Sequence, residues 1–200
     1  MSSYQVVRSK IAKTKVLLTE PWLARFVPET KLFSSENLKA MLAKFNEVYV
    51  KPDRGRRGER VIAISVLPDG SYQIKHENAE NTVEKIANAV NFVKKIAGND
   101  QFIVQRGITM LCVDESPFDL RVNVQKPYAK WIVSSMIAKK QAPGKIVTNY
   151  SQGGILLEFE EALKLAGLEK SQVSKIKKLL RNIGERTDRV LNENYPGLRE

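Results

Sequence analysis

Between Val48 and Lys75 the chain reads as three short strands and two breaks. Val48–Val50 runs straight into Lys51-Pro52-Asp53-Arg54-Gly55-Arg56-Arg57-Gly58, the next strand begins at Arg60 and ends near Leu67, and Pro68-Asp69-Gly70 separates it from Ser71–Lys75. Stretches this short, punctuated by Gly and by a Pro-Asp-Gly turn, form a small antiparallel sheet. Such a sheet needs helices over one face. Leu38, Met41, Leu42 and Phe45 recur at helical spacing behind Ser34 or Ser35, which predicts a helix over 34–45. A second helix is expected from a cap at Asn81 or Thr82, through Val83, Ile86, Val90 and Val93, to Gly98.

The rest of the chain repeats the mixture. Phe102–Gln105 reads as a strand. Asp119–Gln125 alternates Leu120, Val122 and Val124 with polar residues and pairs with 131–138 across a turn at 126–130. Another short strand is expected at Lys145–Thr148, and helices at about 158–166 and 171–194. The fold class is therefore α+β, with two lobes of antiparallel sheet and flanking helices. Residues 1–30, with Pro21 and Pro28, read as a connector, 31–106 as the first lobe and 107–200 as the second, the lobes joining near 105–108. A ligand cleft belongs between them.

Composition narrows the partner. The 200 residues carry a net charge of +11, spread evenly over both halves, which suits a polyanion: DNA, RNA, membrane surface or nucleotide. No apolar run approaches the roughly 20 residues of a membrane span, and the N-terminus has no signal-peptide pattern. A single cysteine, Cys112, forms no disulfide within the chain, and a single histidine, His76, leaves no zinc set, so a reducing, cytoplasmic setting is expected. Cys112 reads as a small buried residue, His76 as a surface residue, and Trp22 and Trp131 as packing anchors.

Four groups of residues have chemistry to offer. The loop with Lys51, Arg54, Gly55, Arg56, Arg57, Gly58 and Arg60 suits a triphosphate, because glycine lets backbone N–H groups turn inward while cations neutralise charge; it is equally a basic hairpin turn. It is not a Walker loop, since the spacing differs and the loop leads into a strand. Asp119 and Arg121 share one strand face, either as a carboxylate beside a phosphate-binding guanidinium or as a plain ion pair. Lys126 adds charge to that sheet, and of the adjacent Lys139 and Lys140 at most one faces the cleft. Asn149 with Gly153 and Gly154 forms a second glycine turn, either ligand-facing or an ordinary loop. The late helix carries Lys175, Lys177, Lys178, Arg181, Arg186 and Arg189, a solvated face or a nucleic-acid surface.

In order along the chain, PETKLFS at 28–34, VYVKPDRGRRGERVI at 48–62, FIVQRGI at 102–108, SPFDLRVNVQK at 116–126 and APGKIVTNYSQGG at 142–154 resemble the YheC/YheD family of spore-coat-associated ATP-grasp proteins. The resemblance covers about residues 10–200. It implies two lobes gripping ATP, with Lys51 over the α- and β-phosphates and Arg54, Gly55 and Gly58 in the phosphate lid. Gln105, Arg106, Gly107 and Ile108 would form the hinge at the adenine edge. Arg121 would be the catalytic residue at the γ-phosphate or acyl-phosphate, and Asn149, Gly153 and Gly154 would line the acceptor side.

The implied activity is that of a carboxylate–amine ligase working through an acyl-phosphate, with ATP and Mg²⁺ as cofactors and unspecified carboxylate and amine substrates. Spore coat proteins are implied partners, and the endospore coat is an implied location. The lid has fewer glycines than the family's Gly-x-x-Gly-x-Gly. No Glu-x-Asn magnesium pair stands where the family has one, so the expectation is that the C-terminal part of the second lobe lies beyond Glu200. The rival readings are a non-catalytic structural or binding protein of the spore, and a nucleic-acid-binding module.

Overall fold

The computed structural model describes residues 6–55, 58–127, 130–142 and 154–197. Two helices come first, α1 (Lys10–Leu18) and α2 (Pro21–Ala24), then β1 (Thr30–Leu32), α3 (Ser35–Lys44) and β2 (Glu47–Pro52). The hairpin strands β3 (Ile62–Val66), β4 (Tyr72–His76) and β5 (Ala79–Val83) lead to α4 (Ile86–Ala97) and β6 (Phe102–Arg106). After these come β7 (Cys112–Val113), β8 (Ser116–Gln125), β9 (Ile132–Lys140) and β10 (Ile155–Glu158), then α5 (Phe159–Leu165) and α6 (Lys170–Asn194).

The first sheet has the order β1-β6-β2-β3-β4-β5 and the second β10-β9-β8-β7, both antiparallel throughout. Strand alternation decides what each face does. Along β2, Val48, Val50 and Pro52 are buried, with Leu38 and Met41 of α3 and Val93 of α4 packed into the same core. Glu47, Tyr49 and Lys51 therefore stand on the opposite face, away from α3 and α4, with α1 close to its Lys51 end. In β8, Phe118 and Leu120 pack against Phe159, Leu163 and Val173 of α5 and α6, which turns Asp119 and Arg121 away from the helices.

Several expectations need correction. Residues 1–30 are not a bare connector: Ser9 Oγ accepts from Ala12 N (3.1 Å) to cap α1, and Glu20 caps α2, with Pro21 at its first position. Both helices pack on α6, where Glu20 pairs with Arg186 (3.3 Å) and Arg186 stacks over Trp22 (4.6 Å). The region around Asn81 and Thr82 is not a helix cap but β5, an exposed edge strand tied to β4 by Gln73–Glu80 and Lys75–Glu80 contacts; the helix starts at Ile86. Cys112 is exposed, because in two-residue β7 it is Val113 that points inward. His76 is mostly covered, its side chain 12% exposed, with Nδ1 3.1 Å from Val61 O and the ring edge-on to Phe92. The expected strand at 145–148 lies outside the described residues.

Candidate functional site

The face of the first sheet away from α3 and α4, together with the edge of the second sheet, borders a cleft of about 630 Å³. Tyr49, Ala63, Ser65, Gln73 and Lys75 form its floor, Arg106, Gly107 and Ile108 one wall, and Pro117 and Gln141 reach it from the second sheet. Lys51 lies on the same face as Tyr49, one alternate position further along β2, and like Arg121 it is outside the residues that line this cleft. Its Nζ donates to Gln105 Oε1 at 2.6 Å, and Gln105 Nε2 donates in turn to Thr30 Oγ1 at 2.8 Å. Burial, and second the charge of Lys10, lower the Lys51 ammonium from 10.5 to about 8.

At the end of β6 the backbone is tied to its neighbours: Arg106 N donates to Glu29 O and Gly107 N to Glu47 O, each at 2.9 Å. Gly107 is required by close approach: a Cβ there would fall 2.8 Å from Glu47 Oε1 and 3.0 Å from Glu47 Cβ. Glu47 also bonds the Tyr49 phenol, which burial raises to about 12, so the phenol stays neutral on the cleft floor. The Arg106 guanidinium stacks over Phe45 at 5.0 Å.

The glycine loop is divided by the fold. Arg54 is exposed at its start, and Gly55 packs so closely on Pro52 that a Cβ would be 3.1 Å from Pro52 Cβ. Gly58 takes a positive φ of 74°, which glycine adopts without strain. Arg60 leaves the loop altogether, pairing with Asp100 at 2.6 Å and stacking over Phe102. Arg56 and Arg57 lie outside the described residues.

In the second sheet Arg121 binds Asp119 through two bonds, Nε to Oδ1 (3.1 Å) and Nη2 to Oδ2 (2.8 Å). The pair is too exposed to contribute much stability, but the fork fixes the guanidinium and leaves its Nη1 edge for another anion. Lys139, opposite Asp119 in the register, shares that face; Lys140 takes the other and pairs with Asp114 (2.8 Å). Lys126 stacks over Trp131 at 5.2 Å. Gly154 is buried just before β10, while Asn149 and Gly153 lie outside the described residues. On α6, Lys177 pairs with Glu160 (2.6 Å) and Arg186 with Glu20, so the basic helix is partly neutralised within the chain.

Sequence reasoning missed Glu47, Tyr49 and Lys75 at the cleft. The first two were findable, because they precede Lys51 by four and two positions on one strand.

The family model for YheC/D-like ATP-grasp proteins matches residues 3–200. The chain belongs to this family. Its two-sheet α+β architecture is the ATP-grasp fold that the motif order implied. No curated protein matches the chain. Among solved structures it is similar to D-alanyl-alanine synthetase A from Vibrio cholerae O1 biovar eltor str. N16961, at 14% identity and a TM-score of 0.46, over 86% of this chain and 45% of that one. The chain thus spans less than half the length of that structure. Among the described residues no helix of this YheC/D-like chain is long and apolar enough to cross a membrane.

Proposed function

We propose that this chain binds ATP in the cleft between its two sheets, with the base at the hinge and the phosphates toward Lys51. The observation that carries the reading is the Lys51–Gln105 bond, which links the phosphate lysine directly to the hinge strand. Lys51 is four positions along β2 from Glu47, which lies beside Gly107, so the strand spans about 13 Å between them. That is room for a nucleoside at one end and a phosphate chain at the other. Lys51 and Arg54 approach the phosphates from the first sheet, and Arg121, already oriented by Asp119, is the catalytic group from the second.

The reaction this family fold suggests is of the carboxylate–amine ligase type. A substrate carboxylate oxygen takes the γ-phosphoryl group of ATP as ADP leaves, and an amine then displaces phosphate from the acyl-phosphate. Arg121 would steady the anion transferred. Among the described residues no three His, Cys, Asp or Glu side chains sit together to hold a metal, and Asp119 is bound by Arg121, so no step through Mg²⁺ is derived. Attachment to the endospore coat rests on family resemblance alone, and fractionation of spores with an antibody to the chain tests it.

Calorimetric titration tests the binding reading. Saturable ATP binding that falls at least tenfold in Lys51→Met and in Arg121→Ala is the expected result. Unchanged affinity in both variants, or salt-sensitive binding of short RNA without ATP binding, would overturn it.

A further inference from the structure

The N-terminus of α1 is fastened to the beginning of the glycine loop by more bonds than helix capping requires. Lys10 Nζ donates to Pro52 O (2.6 Å), Gly55 O (3.1 Å) and Asp53 O (3.3 Å), while Lys10 N donates to Asp53 O (3.1 Å). Asp53, only 1% exposed, accepts from Ile11 N at 2.8 Å through Oδ1, and its own N–H is taken by Gln101 O. Ser9 already caps the helix, so these bonds serve the loop as much as the helix.

The geometry has a directional consequence. Three carbonyl groups within four residues point at one ammonium, and in a trans peptide the N–H of the next residue points the opposite way. The Arg54 N–H is therefore turned away from α1. Gly55 belongs to the same arrangement, since a Cβ there would stand 3.8 Å from Lys10 Nζ as well as against Pro52. Through the packing of α1 on α6, this fastening also joins the loop to the helix layer of the second sheet.

We propose that Lys10 is a positioning residue for the phosphate-binding loop, setting the direction in which the backbone leaves β2 and presents its amide to a phosphate chain. This rests on the nucleotide reading above. Lys10 touches no ligand in this account. Its charge also reaches Lys51, so the two cations disfavour each other until a multiply charged ligand arrives.

The test is equilibrium binding of ATP and of adenosine to the unaltered chain, Lys10→Met, Lys10→Arg and Lys51→Met, with thermal melts of each. Lys10→Met is expected to lose about tenfold in ATP affinity with adenosine binding unchanged, and Lys10→Arg to recover to within about threefold of the original. Equal losses for ATP and adenosine would mean a merely structural role and overturn the proposal. ATP affinity lost in Lys51→Met but kept in Lys10→Met would overturn it while the nucleotide reading stands. No ATP binding by the unaltered chain would sink both. If Lys10→Met does not melt cooperatively, Gly55→Ala crowds the same loop against Pro52 while keeping the Lys10 ammonium. It should show the same ATP-only loss; an equal loss for adenosine, or none, counts against the proposal.

Discussion

Replacing Lys51 by Met should make the unliganded protein more stable and its nucleotide complex less so. The fall of the ammonium from 10.5 to about 8 puts the cost of holding that charge in the folded chain at pH 7 at roughly 3 kcal/mol. Met keeps the length of the stem and removes the charge. It also takes the donor from Gln105 Oε1, which returns about 1 kcal/mol. The net expectation is a gain of about 1–2 kcal/mol, or a Tm raised by about 5 °C for a chain of this size. Between pH 8 and 10.5 the unfolded chain binds more protons at this site than the folded one, so the original chain gains stability as pH rises, and the variant lacks that gain. Tyr49, raised to about 12, works in the opposite direction above pH 10 but is common to both proteins. The assay is thermal melting from pH 7 to 10, without and with saturating ATP. A ligand at a hundredfold its Kd adds about 2.7 kcal/mol, enough to place the original chain above the variant once ATP is present. A variant less stable than the original by 1 kcal/mol or more at pH 7, with the same slope against pH, would refute the reasoning.

Three further outcomes can be read by chemical denaturation. Gly107→Ala should cost about 1–3 kcal/mol, because the new Cβ meets Glu47 Cβ and Cγ at 3.0 Å, and should weaken ATP binding at the hinge. Gly184, inside α6, lets the helix approach Val122, Val124 and Val133 to within 3.1–3.3 Å of where a Cβ would be, so Gly184→Leu should cost at least about 2 kcal/mol. Glu115→Gly should stabilise by about 1 kcal/mol, since Glu115 holds a φ of 61° in the β7–β8 turn beside Asp114 at 47°.

What was legible in the sequence was what alternation or helical spacing writes locally. α3 is a clear case: Ser34 caps it, and Leu38, Met41 and Leu42 are its buried face. β8 is another, with its apolar and polar residues on opposite sides as the alternation requires. β5 was not legible, because an edge strand exposed on both sides has no apolar period, and its polar cross-strand pairs look like a loop. α1 was missed for a related reason: it has no fully buried residue, and it is held by bonds to Asp53 and by α6, far away in the chain. The site divides in the same way. The shared face of Asp119 and Arg121 could be read from strand position, whereas the long-range partners of Lys51, namely Lys10 and the side chain of Gln105, leave no local signal.

The placement of charge along β2 gives the cleft its logic. At the Glu47 end its backbone carbonyl accepts Gly107 N–H and its carboxylate bonds the Tyr49 phenol, so β2 itself carries no cation there, although Lys44, Lys75 and Arg106 stand around it. At the loop end Lys51 and Lys10 stand close enough to disfavour each other, and Arg54 is exposed beside them. Desolvation raises the cost of the Lys51 and Lys10 charges in the empty protein and strengthens their attraction for a polyanion by the same low dielectric. A monoanion would relieve little of that repulsion; a phosphate chain running along the strand would relieve most of it. The polarity of the strand therefore favours one orientation of a nucleotide over its reverse, and it predicts that ADP retains more of ATP's affinity than adenosine does.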